Sequence, residues 1–169
     1  FWTNGPAGDG GSAMYFQEVK VRKNPEAFLA AVNDMLGDMQ AAYGLVQDAS
    51  QFSSNAVEPK EGALANLIDG NYSTFFHSAW SVTVAGTHHL QVEVSEPVES
   101  FSFYFKKRHN NNNNRPTDLT ILGSADGVEF AEVAHITTGL PTSADTLDYM
   151  SEIITLEAPC KYLRFAVNK

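Results

Sequence analysis

The chain has 169 residues, with 11 Lys and Arg against 20 Asp and Glu, for a formal net charge of −9. That length suits one domain of moderate size with a short appendage, and no apolar run approaches the ~20 residues of a spanning helix, so insertion into a membrane by such a helix is excluded. The acid surplus argues against a nucleic-acid partner, because neutralising phosphates takes clustered Lys and Arg, and the one basic run, Lys106-Lys107-Arg108, is short.

The chain starts at Phe1 without Met, a charged n-region or an apolar h-region, which reads as a piece of a longer polypeptide. Residues 1–23 pass from a Gly-rich stretch, Gly5 to Gly11, into a rough alternation of Phe16, Val19 and Val21. This predicts a loop and one strand, which either joins the following sheet or ends a preceding domain. Residues 24–50 predict a linker helix. Asn24 suits the N-cap, Pro25 the first helical position and Glu26 the first turn. Phe28, Val32, Met35, Leu36, Met39, Tyr43 and Val46 then form one apolar stripe at helical period.

From residue 51 to 169 the pattern is all-β. His89 to Val94 alternates strictly, as does Phe101 to Lys106. Asp118 to Leu122 and Glu129 to Ile136 flank Ala125-Asp126-Gly127, a hairpin signal. Ile153 to Leu156 and Tyr162 to Val167 supply the last two runs. Short strands with long loops among them predict a β-sandwich or jelly roll. The run Asn110 to Asn114 reads as an exposed loop tip.

Three constellations could carry chemistry. Asp69-Gly70-Asn71 makes a tight turn in which Asp69, Asn71 and Thr74 offer oxygens to one hard cation, with Glu157 a distant acid that could complete the shell. On spacing alone, an Asx turn without metal explains the same residues. His77 and Trp80, three apart, place a flat apolar surface beside a donor and acceptor, the pairing a sugar ring needs, although a core Trp80 fits the composition equally. Arg108 and the asparagines after it offer bidentate partners for vicinal hydroxyls. No G-x-S-x-G, H-E-x-x-H or Cys–His nucleophile pair is present, so catalysis by this chain is not expected. The single cysteine, Cys160, can make no internal disulfide.

Taken in order, these pieces resemble the F5/8 type C, or discoidin, domain. They are Ala65-Asn66-Leu67-Ile68-Asp69-Gly70, Thr74, Trp80, His89 to Val94, Arg108, Leu119 to Ser124 with Asp126-Gly127, and Lys161 to Phe165. The resemblance implies an eight-stranded galactose-binding-like jelly-roll sandwich, preceded here by the strand and amphipathic helix. It also implies a structural Ca²⁺ held by Asp69, Asn71, Thr74, Glu157 and the Asn66 carbonyl. Relatives among the family 32 carbohydrate-binding modules imply glycan binding by His77, Trp80, Arg108 and Asn113, with Tyr149 as a late-loop aromatic. Such a module would be non-catalytic and accessory to other domains of the same polypeptide, and would work outside the cytoplasm, at the cell surface or in the periplasm. The absence of disulfides suggests a bacterial source. A protein-binding adhesion module and a structural spacer are the alternatives.

Overall fold

The computed structural model describes residues 44–107, 116–141 and 148–168, so the predicted strand before residue 23 and most of the predicted helix lie outside the described residues. Seven strands are present among them: β1 (Phe52–Ser54), β2 (His89–Phe101), β3 (Tyr104–Lys106), β4 (Leu119–Ser124), β5 (Ala131–Ile136), β6 (Asp148–Met150) and β7 (Ile154–Val167). Five of them form one sheet in the order β1-β2-β7-β4-β5, and β3 and β6 form a second. All pairings are antiparallel. The result is the predicted all-β jelly-roll sandwich.

Alternation along the long strands decides which face is buried. In β2, Val92 and Val94 point into the core while Glu93 between them is exposed. Ile121 of β4 is wholly buried, beside Leu119 and, from β7, Leu156, Cys160 and Leu163. The second sheet closes the sandwich through aromatic contacts. Phe103 meets Phe165 of β7 edge-on with ring centroids 4.9 Å apart, a contact worth about 0.5–1.5 kcal/mol beyond the area it buries.

The predicted hairpin is formed, with β4 and β5 joined through Asp126-Gly127. The Asp126 carboxylate accepts the Val128 and Glu129 N–H groups and the Ser124 hydroxyl. Gly127 takes a φ of 78° there, and a side chain at that position would begin 3.2 Å from the Tyr162 ring.

Three expectations need correction. The Phe101 to Lys106 run is interrupted: β2 ends at Phe101, and as the chain crosses to the second sheet the Phe103 carbonyl accepts Ser151 N–H while Phe103 N–H donates to the Ser151 hydroxyl. The two runs expected at 153–156 and 162–167 are one strand, β7, whose register against β2 shifts around Val98, next to Pro97. Proline donates no ladder hydrogen bond and so collects at such irregularities. Finally, residues 44–48 are not helical. The Leu45 carbonyl accepts from Ser95 and Gln51 instead of from the next turn, Leu45 and Val46 pack on the core, and Asp48 caps a short 3-10 turn at Ala49–Gln51. The β-domain therefore gathers chain from before residue 51.

Candidate functional site

Two loops pair before the long strands begin. Residues 56–58 run antiparallel to 77–79 through a bridge between Val57 and Ser78. Ala79 N–H donates to the Ala56 carbonyl at 2.9 Å, and Glu58 N–H donates to the His77 carbonyl at 3.1 Å. His77 N–H in turn donates to the carbonyl of Gly62. This short ladder gives a fixed backbone to a segment with no strand of its own.

From it Trp80 projects outward and is 59 % exposed, which removes the core alternative for this side chain. Its ring meets the His77 imidazole edge-on, with centroids 6.4 Å apart and planes at 67°. The Lys60 ammonium lies over the indole, 5.2 Å from its centroid, an arrangement in which the cation is drawn to the ring's negative face. His77 Nδ1 is 2.7 Å from the Ser78 carbonyl, a contact in which the ring nitrogen must carry the proton, and this fixes the imidazole's orientation.

Glu58 belongs to no motif in the sequence. It is only 3 % exposed, and its carboxylate accepts Trp80 N–H and Ser81 N–H at 2.9 Å, the Ser81 hydroxyl at 2.6 Å and Lys60 N–H at 3.2 Å. Burial of the carboxyl works against ionisation, but these four donors outweigh it and pull its pKa down to about 2. The only trace in the sequence is an acid at an inward-facing step of the Ala56-Val57-Glu58 alternation.

The Asp69 turn draws oxygens together. Thr74 Oγ1 lies 2.6 Å from Asp69 Oδ2 and 2.7 Å from the Asn71 carbonyl oxygen, while Asn71 N–H donates to Asp69 Oδ1. Hydrogen bonding from the Thr74 hydroxyl, and then from Asn71 N–H, holds the Asp69 carboxyl below its ordinary range, so it is a carboxylate at neutral pH. One carboxylate with a hydroxyl and a carbonyl is a donor set that fits a hard cation such as Ca²⁺. The Asn66 side-chain amide donates to the Phe75 carbonyl, and the Asn71 side chain accepts from Ser73 N–H. Glu157 is exposed on β7. Among the described residues there is no cluster of three or more His, Cys, Asp or Glu side chains suited to a metal.

Arg108 and Asn113 lie outside the described residues. Tyr149 is placed differently from the expected late-loop platform. It sits on β6 with its ring half-buried against Phe103 and Phe105, centroids 5.6 and 5.3 Å away. Phe105 and Tyr149 are register partners between β3 and β6. The exposed aromatics nearby are Tyr72, with the Lys106 ammonium 4.7 Å from its centroid, and Tyr104, whose hydroxyl donates to Asp148.

Residues 49–169 match the F5/8 type C domain. The chain belongs to that family. No curated protein matches the sequence, but many solved structures share its fold. Among them is CpGH89CBM32-5 from Clostridium perfringens, in complex with GalNAc-β-1,3-galactose. It has a TM-score of 0.58 at 15 % identity, covering 72 % of this chain and 86 % of that one. The family 32 module of NanJ from the same organism, in complex with galactose, gives 0.52 at 21 % identity, covering 72 % and 85 %. The C-terminal domain of a chitobiase from Bacteroides fragilis gives 0.54 at 16 %, covering 72 % and 83 %. At these identities what this F5/8 type C domain shares with the solved structures is the fold.

Proposed function

We propose that this F5/8 type C domain is a non-catalytic carbohydrate-binding module that takes galactose-type or related glycans at the rim built by His77 and Trp80. The observation that carries this reading is an indole more than half exposed, fixed on a paired loop and set edge-on to an imidazole. An exposed indole offers the C–H face of a pyranose a flat partner, and the imidazole's free nitrogen offers its hydroxyls a hydrogen bond. Arg108 and Asn113 are proposed to complete the hydroxyl contacts, as in the resemblance drawn from their spacing. Two solved structures of the same fold hold galactose or a galactose-containing disaccharide, which supports the choice of sugar class.

A single ring and a few hydrogen bonds on an open surface give weak affinity, and tethering to another domain makes such binding useful. We therefore read the module as accessory to a larger secreted or surface protein such as a glycoside hydrolase, acting outside the cytoplasm, with the Asp69 turn holding a structural Ca²⁺. A glycan array followed by calorimetry with galactosides tests the reading. Saturable binding of terminal galactose or N-acetylgalactosamine is expected. Silence in both measurements refutes it, and capture of a protein partner that no sugar displaces would replace it with an adhesion module.

A further inference from the structure

We infer that Glu58 is the positioning residue of the rim: its buried carboxylate grips the backbone on the C-terminal side of the loop, holds the Trp80 indole in place, and so sets ligand affinity without touching ligand. This rests on the sugar-binding reading for its affinity arm only.

Beyond the edge contact with His77 and the Lys60 ammonium, the Trp80 ring is held through its backbone. Trp80 is mostly exposed, so packing restrains it weakly. Its own N–H and that of Ser81 both end on Glu58 Oε2, and the Ser81 hydroxyl and Lys60 N–H end on Oε1. All four partners are donors. A carboxylate, which only accepts, satisfies them all, whereas an amide would turn two N–H groups of its own toward them. Glu58 also reaches the other half of the site, because its backbone N–H donates to the His77 carbonyl. One residue, 19 positions before His77 and 22 before Trp80, thus ties both ring-bearing positions to the same short ladder. Lys60, two residues on, lies against the indole. Holding a binding group in its bound geometry lowers the ordering cost of association, so loss of the grip should appear as weaker binding by a folded domain.

The experiment compares wild type with Glu58→Gln, Glu58→Asp and the milder Ser81→Ala, which removes one of the four bonds. Calorimetry with a galactoside is run well below each variant's melting temperature, together with amide hydrogen exchange by NMR. Glu58→Gln is expected to raise Kd about tenfold, the scale of losing hydrogen bonds to a charged acceptor. Glu58→Asp, which keeps the charge, should fall between it and wild type. The Trp80 and Ser81 amides should exchange at least tenfold faster in Glu58→Gln, while that of Ile121 in the core is unchanged. If Glu58→Gln does not fold, Ser81→Ala should still speed exchange at Trp80 and raise Kd by a smaller factor. Wild-type affinity in the folded variants, or unchanged exchange at Trp80 and Ser81, overturns the inference. Absence of galactoside binding by wild type defeats the sugar reading instead, and the exchange measurement then decides the role of Glu58 by itself.

Discussion

The peptide N–H of His77 donates to the carbonyl of Gly62 at 3.1 Å, and a side chain on Gly62 would begin 2.4 Å from that same nitrogen. Gly62 also sits at φ 74°, where an L side chain is strained. Gly62→Ala therefore has to push the His77 segment away as well as accept the backbone strain. We expect a loss of roughly 1–3 kcal/mol in urea unfolding, the usual cost of such a conformation with a non-glycine residue. Galactoside binding should weaken with it. A variant as stable as wild type would show that the loop gives way freely.

Trp80→Ala separates binding from stability. The side chain stands mostly in solvent, so its removal should leave Tm within about 1–2 °C of wild type, as for surface substitutions in general. Loss of the stacking face should raise Kd for a galactoside about tenfold or more, equivalent to about 1.4 kcal/mol. Unchanged calorimetric binding would move the sugar site elsewhere on the domain.

Calcium is tested by melting with the ion and with chelator. At a hundredfold excess over Kd, a ligand that binds only the folded state adds about 2.7 kcal/mol, or roughly 5–10 °C in Tm for a domain of this size. Asp69→Ala should abolish the difference, since it removes the one carboxylate of the turn. Identical melting curves with calcium and with chelator would show that the turn stands on its own hydrogen bonds.

Acid stability follows from carboxyls whose folded pKa lies below the ordinary value. Glu58 falls from 4.5 to about 2, chiefly because its four donors overcome burial, and Asp69 and Asp126 shift downward too. Each favours the folded state above its unfolded pKa, and that contribution disappears as pH falls through the folded pKa. Urea midpoints should thus decline a little below neutrality, because burial and then the Arg164 charge hold the His89 pKa down, and fall steadily from about pH 4.5 toward 2. Glu58→Gln should flatten part of that decline. A wild-type midpoint independent of pH across this range would contradict the hydrogen-bond assignments.

Much of the fold was legible locally. The alternation of His89 to Val94 identified a strand with one buried face, and Asp126-Gly127 marked a hairpin, because strand period and turn chemistry depend on neighbouring residues alone. The rim was legible only in part. His77 and Trp80 stand out as a neighbouring imidazole and indole, but Glu58 does not, because three of its four donors arrive from a segment 22 residues away. Tyr149 shows the converse: a lone aromatic between polar loops gives no sign of which face of a three-residue strand it occupies, and here it lies half-buried beside Phe103 and Phe105.

The amino-acid order alone determined that the chain builds an all-β sandwich, since strand periodicity and turn chemistry are set by neighbouring residues. Tertiary structure decided which side chains reach solvent. Trp80 stands in solvent and Tyr149 is half-buried because exposure is settled by the segments that arrive from elsewhere in the chain, and no local pattern records their arrival.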